Sequence, residues 1–359
     1  MNTRLSIVTS LFVFANCQGP NRIESSLSSS PSESTEATTE LVTPSLSVDY
    51  DALYVVNGGD GTVSVIDTIT NKVAATIKLR KAKFPHHIYM SADRSTLLVA
   101  VPGMDMSGGH KGGMAGMHGK IFKLDARSGK TLKQVTLPAM NHNAIYSPDG
   151  TEVWTSQMAV PGSVLVLDAQ TLATKSSIAV GDQPAEVTFS SDGKRAFVAA
   201  GGSNEVTVID VATKTVVQDV GTAADPVGAW QGKNGVAYVD SEEGKTLAAI
   251  DTSSLSVLRT WDLGFTPGYA ALAPDEQTVW VTNADAGSVV LKAIDADTTV
   301  AEIACGAGAH AIVFSGDGTT AYVTNQFSAS VSVIDVTSRQ VTTTIAVGTK
   351  PNGILWRAK

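Results

Sequence analysis

Four of the eight methionines and two of the six histidines in this chain lie between Met104 and His118. The stretch reads Met104-Asp-Met106-Ser-Gly-Gly-His110-Lys-Gly-Gly-Met114-Ala-Gly-Met117-His118, with glycine as the main spacer. A thioether is a soft ligand and an imidazole a borderline one. Together they select Cu(I), or Ag(I), over hard cations. The competing account is a flexible glycine-rich loop whose methionines pack on a partner or scavenge oxidants.

The remaining histidines are His86, His87, His142 and His310, and their spacing follows an internal repeat. Residues 309–347 form one complete unit. An alternating run (AHAIVFS, 309–315) ends in a Gly-Asp-Gly turn, and the runs TAYVT (320–324), SVSVID (330–335) and QVTTTIAV (340–347) follow. Short β-branched runs with turn signals between them make one antiparallel sheet. No helical period competes. Copies begin at Pro85, Asn141, Pro184, Pro226, Pro267, Ala309 and Pro351, at intervals of 56, 43, 42, 41, 42 and 42 residues. A four-stranded unit recurring at this period predicts an all-β fold, a β-propeller.

The motifs Ala321-Tyr-Val-Thr-Asn325, Val279-Trp-Val-Thr-Asn283 and Leu53-Tyr-Val-Val-Asn57 resemble the YVTN-type repeat of bacterial and archaeal surface proteins. The resemblance spans about residues 50–356 and implies the same propeller. It implies no particular activity, because propellers serve many unrelated roles. Counting gives seven blades of four antiparallel strands. Residues 52–79 supply three strands with no first strand before them, and residues 351–356 supply a first strand with nothing after it. Joined, the two fragments close the ring and remove an open sheet edge.

This arrangement places the candidate ligands. The residues just after the repeat starts are His86, His142, Ala185, Val227, Gly268, His310 and Asn352. Three histidines therefore share one repeat position, and His87 is adjacent. The start of a first strand and the end of a second lie on one face of the disc, with the first strand innermost. The long interval adds about fourteen residues between the second and third strands of the His86 blade, an insertion over 102–119. The imidazoles and the Met/His loop should thus meet at one mouth of the central channel. Met158 in the next blade's corresponding loop and Met140 beside His142 share that face. Three imidazoles there could hold Cu(II), Zn(II) or another borderline ion, with the loop as a lid or a Cu(I) site. Each third strand ends in aspartate (Asp67, Asp125, Asp168, Asp210, Asp251, Asp295, Asp335), and these are expected to be turn residues rather than a ring of ligands.

Residues 1–17 have the form of an export signal: one early positive charge, an apolar run from Leu5 to Ala15, then Cys17. The run is too short to span a bilayer. Phe14-Ala15-Asn16-Cys17 resembles a lipobox, with Phe14 and Asn16 where Leu and Gly or Ala are usual; this implies lipidation of Cys17. The alternative is a plain secretory signal. Residues 18–48, rich in Ser, Thr, Glu and Pro, are expected to be a disordered tether to a propeller over 49–359. An exported envelope protein follows, touching the membrane only through its lipid.

Composition excludes several classes. A net charge of −8, with no basic cluster beyond the run Lys78-Leu-Arg-Lys-Ala-Lys83, which reads as a solvated loop, argues against nucleic acid as a partner. After Cys17 only Cys305 remains, so the mature chain makes no internal disulfide, and no Cys-x-x-Cys-His site for a c-type haem exists. Neither a Ser-His-Asp triad nor a paired-carboxylate motif is readable. Three functions stay open. The first is a copper-binding envelope propeller for sequestration, delivery or sensing, with or without an envelope protein partner. The second is a metal-free module for protein or glycan recognition. The third is a redox enzyme resembling, in architecture alone, the propellers of nitrous oxide reductase and the haem-d1 nitrite reductases.

Overall fold

The computed structural model describes residues 46–109, 116–233 and 235–359. Cys17, the leader, the tether up to residue 45, His110 and Met114 lie outside the described residues.

Seven four-stranded antiparallel sheets follow one another. They are blade 1 (52–78 with 351–357), blade 2 (88–136), blade 3 (145–180), blade 4 (184–221), blade 5 (226–262), blade 6 (267–304) and blade 7 (309–346). Blade 1 is composite. Pro351–Arg357 pairs antiparallel with Ala52–Asn57, which continues to Thr62–Asp67 and Lys72–Lys78. The seven-bladed propeller expected from the repeat, closed by its C-terminal strand, is the observed fold.

Alternation explains where the core sits. Second and third strands are buried nearly throughout, as in Ala52–Asn57 and Thr62–Asp67, whereas outer strands such as Thr131–Thr136 are largely exposed. The apolar side chains gather into seven clusters, one between each pair of adjacent blades. The cluster between blades 7 and 1 sets Leu53, Val55 and Ile66 against Tyr322, Val331 and Val333, so the closing interface is packed like the rest. The packed chain starts slightly before 49. Val48, assigned to the tether by composition, is fully buried, and its N–H donates to the Arg127 carbonyl at 2.9 Å.

Six of the seven aspartates are third-strand turn residues; the third strand of blade 6 ends at Ala293, ahead of Asp295. Asp67, Asp125, Asp168, Asp210, Asp251 and Asp335 each accept a backbone N–H two or three residues on. They end strands running away from the histidine face. Between first and second strands a second aspartate turn recurs. Ser91 Oγ and the Ser95 N–H donate to Asp93, and Ser190 Oγ and the Lys194 N–H donate to Asp192.

Two predictions follow from these contacts. Removing residues 351–359 leaves blade 1 without its inner strand and exposes the seam with blade 7. The single cooperative thermal transition of the intact ring should be lost by circular dichroism; an unchanged melting temperature would refute the closure. The turn hydrogen bonds, led by the serine hydroxyls, hold the Asp93 and Asp192 carboxyls down at about 2, against 3.8 for a free aspartate. A depressed folded-state pKa stabilises above the unfolded value and is lost as pH falls through the folded one. The urea midpoint should therefore drop between about pH 4 and pH 2, and less steeply in an Asp93→Asn/Asp192→Asn variant.

Candidate metal centre

Strict alternation would send the consecutive residues His86 and His87 to opposite faces of their strand. A bulge prevents this. The His86 N–H donates to the Ala100 carbonyl at 2.8 Å, and the Ala100 N–H donates to the His87 carbonyl at 3.0 Å. Two inner-strand residues thus oppose one neighbour, which re-aims the extra side chain. The irregularity belongs to the scaffold. Inner strands of blades 4 to 7 shift register at the same place, between Pro184 and Val187, Pro226 and Gly228, Pro267 and Ala270, and Ala309 and Ile312.

His86, His87 and His142 consequently converge. Each offers one ring nitrogen, and the three nitrogens lie within 4.8 Å of one another. His86 Nε2 and His142 Nε2 are 3.1 Å apart. Two nitrogens on one tetrahedral ion, each at about 2.0–2.1 Å, sit about 3.3 Å apart, so the pair needs little movement to share a metal. All three rings are only 2–3 % exposed. The cluster could hold a metal ion.

A carboxylate sets the tautomer. His142 Nδ1 lies 2.7 Å from Glu186 Oε2. With that nitrogen protonated, Nε2 presents its lone pair to His86, the carboxylate–histidine arrangement that orients metal-ligating imidazoles. Glu186 is fully buried. Its second oxygen accepts from Asn143 Nδ2 at 2.7 Å and from the Tyr89 hydroxyl, and Asn143 is itself pinned to the backbone of Val187. Burial first, then the Glu186 charge, raises the Tyr89 phenol well above its ordinary value, so Tyr89 stays a donor.

The next neighbours are His310 and an aromatic wall. The His310 ring centroid is 5.9 Å from His86 and 6.3 Å from His87, beside the group of three and not in it. Trp230 and Tyr269 lie against each other at 3.8 Å between centroids, and both flank His87. Trp230 Nε1 and the Gly228 N–H donate to Asp240, a second buried carboxylate. Burial, then Glu186 and Asp240, raises the Tyr269 phenol strongly.

The described part of the insertion sits at this mouth. Met106 is buried with Met140, Met158, Ala185 and Val227, and Met104 and Met117 pack against them. His86, Met104 and Met106 line one small pocket. Asp105 pairs with Lys350. His118 is exposed, its Nδ1 3.1 Å from the Leu137 carbonyl, and it is not among the three clustered imidazoles.

Glu186, Asn143, Tyr89, Trp230 and Tyr269 are not singled out by sequence reasoning. A signal exists. Glu186 follows Ala185 in an otherwise apolar inner strand, at the repeat position that holds His87 in blade 2 and Tyr269 in blade 6.

No family model matches the chain, and no curated protein matches its sequence. Solved structures do share the fold. The periplasmic gluconolactonase PpgL of Pseudomonas aeruginosa is 22% identical with a TM-score of 0.69, over 86% of this chain and 99% of that one. Hydrazine synthase of Kuenenia stuttgartiensis is 20% identical at 0.67, over 86% and 99%. Dihydro-heme d1 dehydrogenase NirN is 16% identical at 0.63, over 85% and 74%. These similarities define the architecture, a seven-bladed β-propeller.

Loss of a carboxylate that orients a metal-bound histidine typically weakens binding about 10–100-fold. Glu186→Gln should lower the affinity of the cluster for a metal ion by that factor while leaving the melting temperature of the metal-free protein within a few degrees. Unchanged affinity would remove Glu186 from the site.

Proposed function

We propose that this protein is an envelope propeller that holds copper at the mouth of its channel, for sequestration, delivery or sensing. The observation that carries the reading is the buried contact of His86 Nε2 with His142 Nε2 at 3.1 Å, backed by Glu186 on the far nitrogen of His142. His86, His87 and His142 would bind the ion, Glu186 would fix the tautomer of His142, and His310 stands next to them. Trp230 and Tyr269 wall the site against water. An N,N,N set takes copper more tightly than zinc, and the thioethers of Met104 and Met106 beside His86 bias it further.

Burial bears on the alternative of protein or glycan docking. Rings 2–3 % exposed offer little to a macromolecule, whereas an ion can reach them. The envelope assignment rests on the leader, on Cys17 and on the tether. Similarity to a periplasmic propeller is consistent with it.

The purified protein should bind copper in a titration against a colorimetric chelator, with Cu(II) in air and Cu(I) under argon. His86→Ala/His142→Ala should lose affinity beyond the roughly 100-fold that loss of an orienting carboxylate costs, and His310→Ala should lose less. Binding no stronger than that of an unrelated propeller would overturn the proposal.

A further inference from the structure

The methionines at the mouth make a second site. We propose that Met140 and Met158, with Met104, Met106 and Met117, form a thioether port for Cu(I), separate from the imidazole centre. The port's ligands are independent of that centre; only its role as an entrance rests on the reading of the histidines as a metal site.

Composition is the first ground. The seven clusters between blades are built from Val, Leu, Ile, Ala and aromatic residues, and among the described residues Met90 is their one methionine. The mouth cluster inverts this. Among the described residues its long apolar side chains are all methionine, with Ala185 and Val227 as the other apolar members. Packing alone has no need of sulfur, since leucine fills a similar volume. Separate stretches of blades 2 and 3 converge to bring these thioethers together.

Rigidity is the second. The Met158 N–H donates to the Met140 carbonyl at 2.9 Å, so the two residues are fixed side by side on blade 3. They are 3 % and 0 % exposed. Met104, Met106 and Met117, from the insertion, complete the group.

The third is that the carboxylate lying among these methionines in sequence is already engaged. Asp105, between Met104 and Met106, is engaged by Lys350 and by the Ser107 N–H and hydroxyl. Ala185 and Val227 occupy in blades 4 and 5 the ring position that holds His86 and His142 in blades 2 and 3. Sulfur therefore covers the sector without imidazoles. Neutral thioethers in an apolar pocket suit Cu(I) or Ag(I) and give Cu(II) nothing.

His86, Met104 and Met106 line one small pocket, so the two groups of ligands adjoin there. Transfer between them is ligand exchange. Copper–sulfur bonds break as copper–nitrogen bonds form, the ion stays Cu(I), and any proton on the receiving nitrogen goes to solvent.

The test compares the two oxidation states on the purified protein by X-ray absorption. Two equivalents of Cu(I) are expected under argon, one with a sulfur shell and one with imidazole. One equivalent of Cu(II) is expected in air, with imidazole alone. Met140→Leu/Met158→Leu should abolish the sulfur-bound equivalent and leave Cu(II) uptake unchanged. Met104→Leu/Met117→Leu, which changes only half-buried residues, should weaken the sulfur shell if the core variant fails to fold. Ag(I) should shift the methyl resonances of Met140 and Met158 in wild-type protein. Cu(I) held by nitrogen alone, or an unaltered sulfur shell in both leucine variants, sinks the port and leaves the imidazole centre standing. Sulfur-bound Cu(I) in a protein that takes up no Cu(II) sinks the imidazole centre and leaves the port.

Discussion

Everything at the channel mouth depends on the closure of a ring. Seven inner strands reach a common axis only if the last is held, and here the last is supplied from the far end of the chain. Pro351–Arg357 lies beside Ala52–Asn57, and Leu53 and Val55 then meet Tyr322 and Val331 across the seam. A sheet left open there would present an unpaired edge and an apolar face. Closure also fixes distances. His86 and His142 are 56 residues apart, on different blades, and come within 3.1 Å because the blades converge.

Charge is the second constraint. Glu186 and Asp240 are two carboxylates at most 1 % exposed; Glu186 faces His142, and Asp240 lies behind Trp230. A buried carboxylate is tolerated when hydrogen bonds and positive charge offset its lost hydration. Tyr89, Asn143 and His142 supply hydrogen bonds to Glu186, and Trp230 and Gly228 supply them to Asp240. His142 Nδ1 at 2.7 Å and His87 Nε2 at 3.8 Å both face Glu186 and add positive charge when protonated.

Much of this was legible before the fold was seen, for a physical reason. A repeat converts position in the chain into position on a ring, so residues sharing a repeat position share a height and a radius. That is why His86 and His142 could be paired, and why the insertion could be placed above them. The part that stayed hidden is local. Register alternation says that His87 should turn away, and only the bulge opposite Ala100 brings it in. Glu186 shares the repeat position of His87, Asn143 and Tyr269, but no second carboxylate recurs there to mark it. His310 shares the ring position of His86, yet blade 7 holds its ring farther from the group. His118 belongs to the methionine-rich stretch by sequence but hangs on the Leu137 carbonyl at the loop's end.

The bulge also separates scaffold from chemistry. It recurs in blades 4 to 7, where the residues at the His87 position are Glu186, Gly228, Tyr269 and Ala311. The backbone irregularity therefore does not depend on a histidine or on a metal. Each blade offers the mouth a pair of adjacent side chains, and the core between blades is indifferent to which they are. One sector carries imidazoles over a buried carboxylate. The next carries small apolar residues under thioethers. A ring with fixed geometry and free choice at one position per blade can thus set two ligand chemistries side by side, one for a borderline ion and one for a soft one.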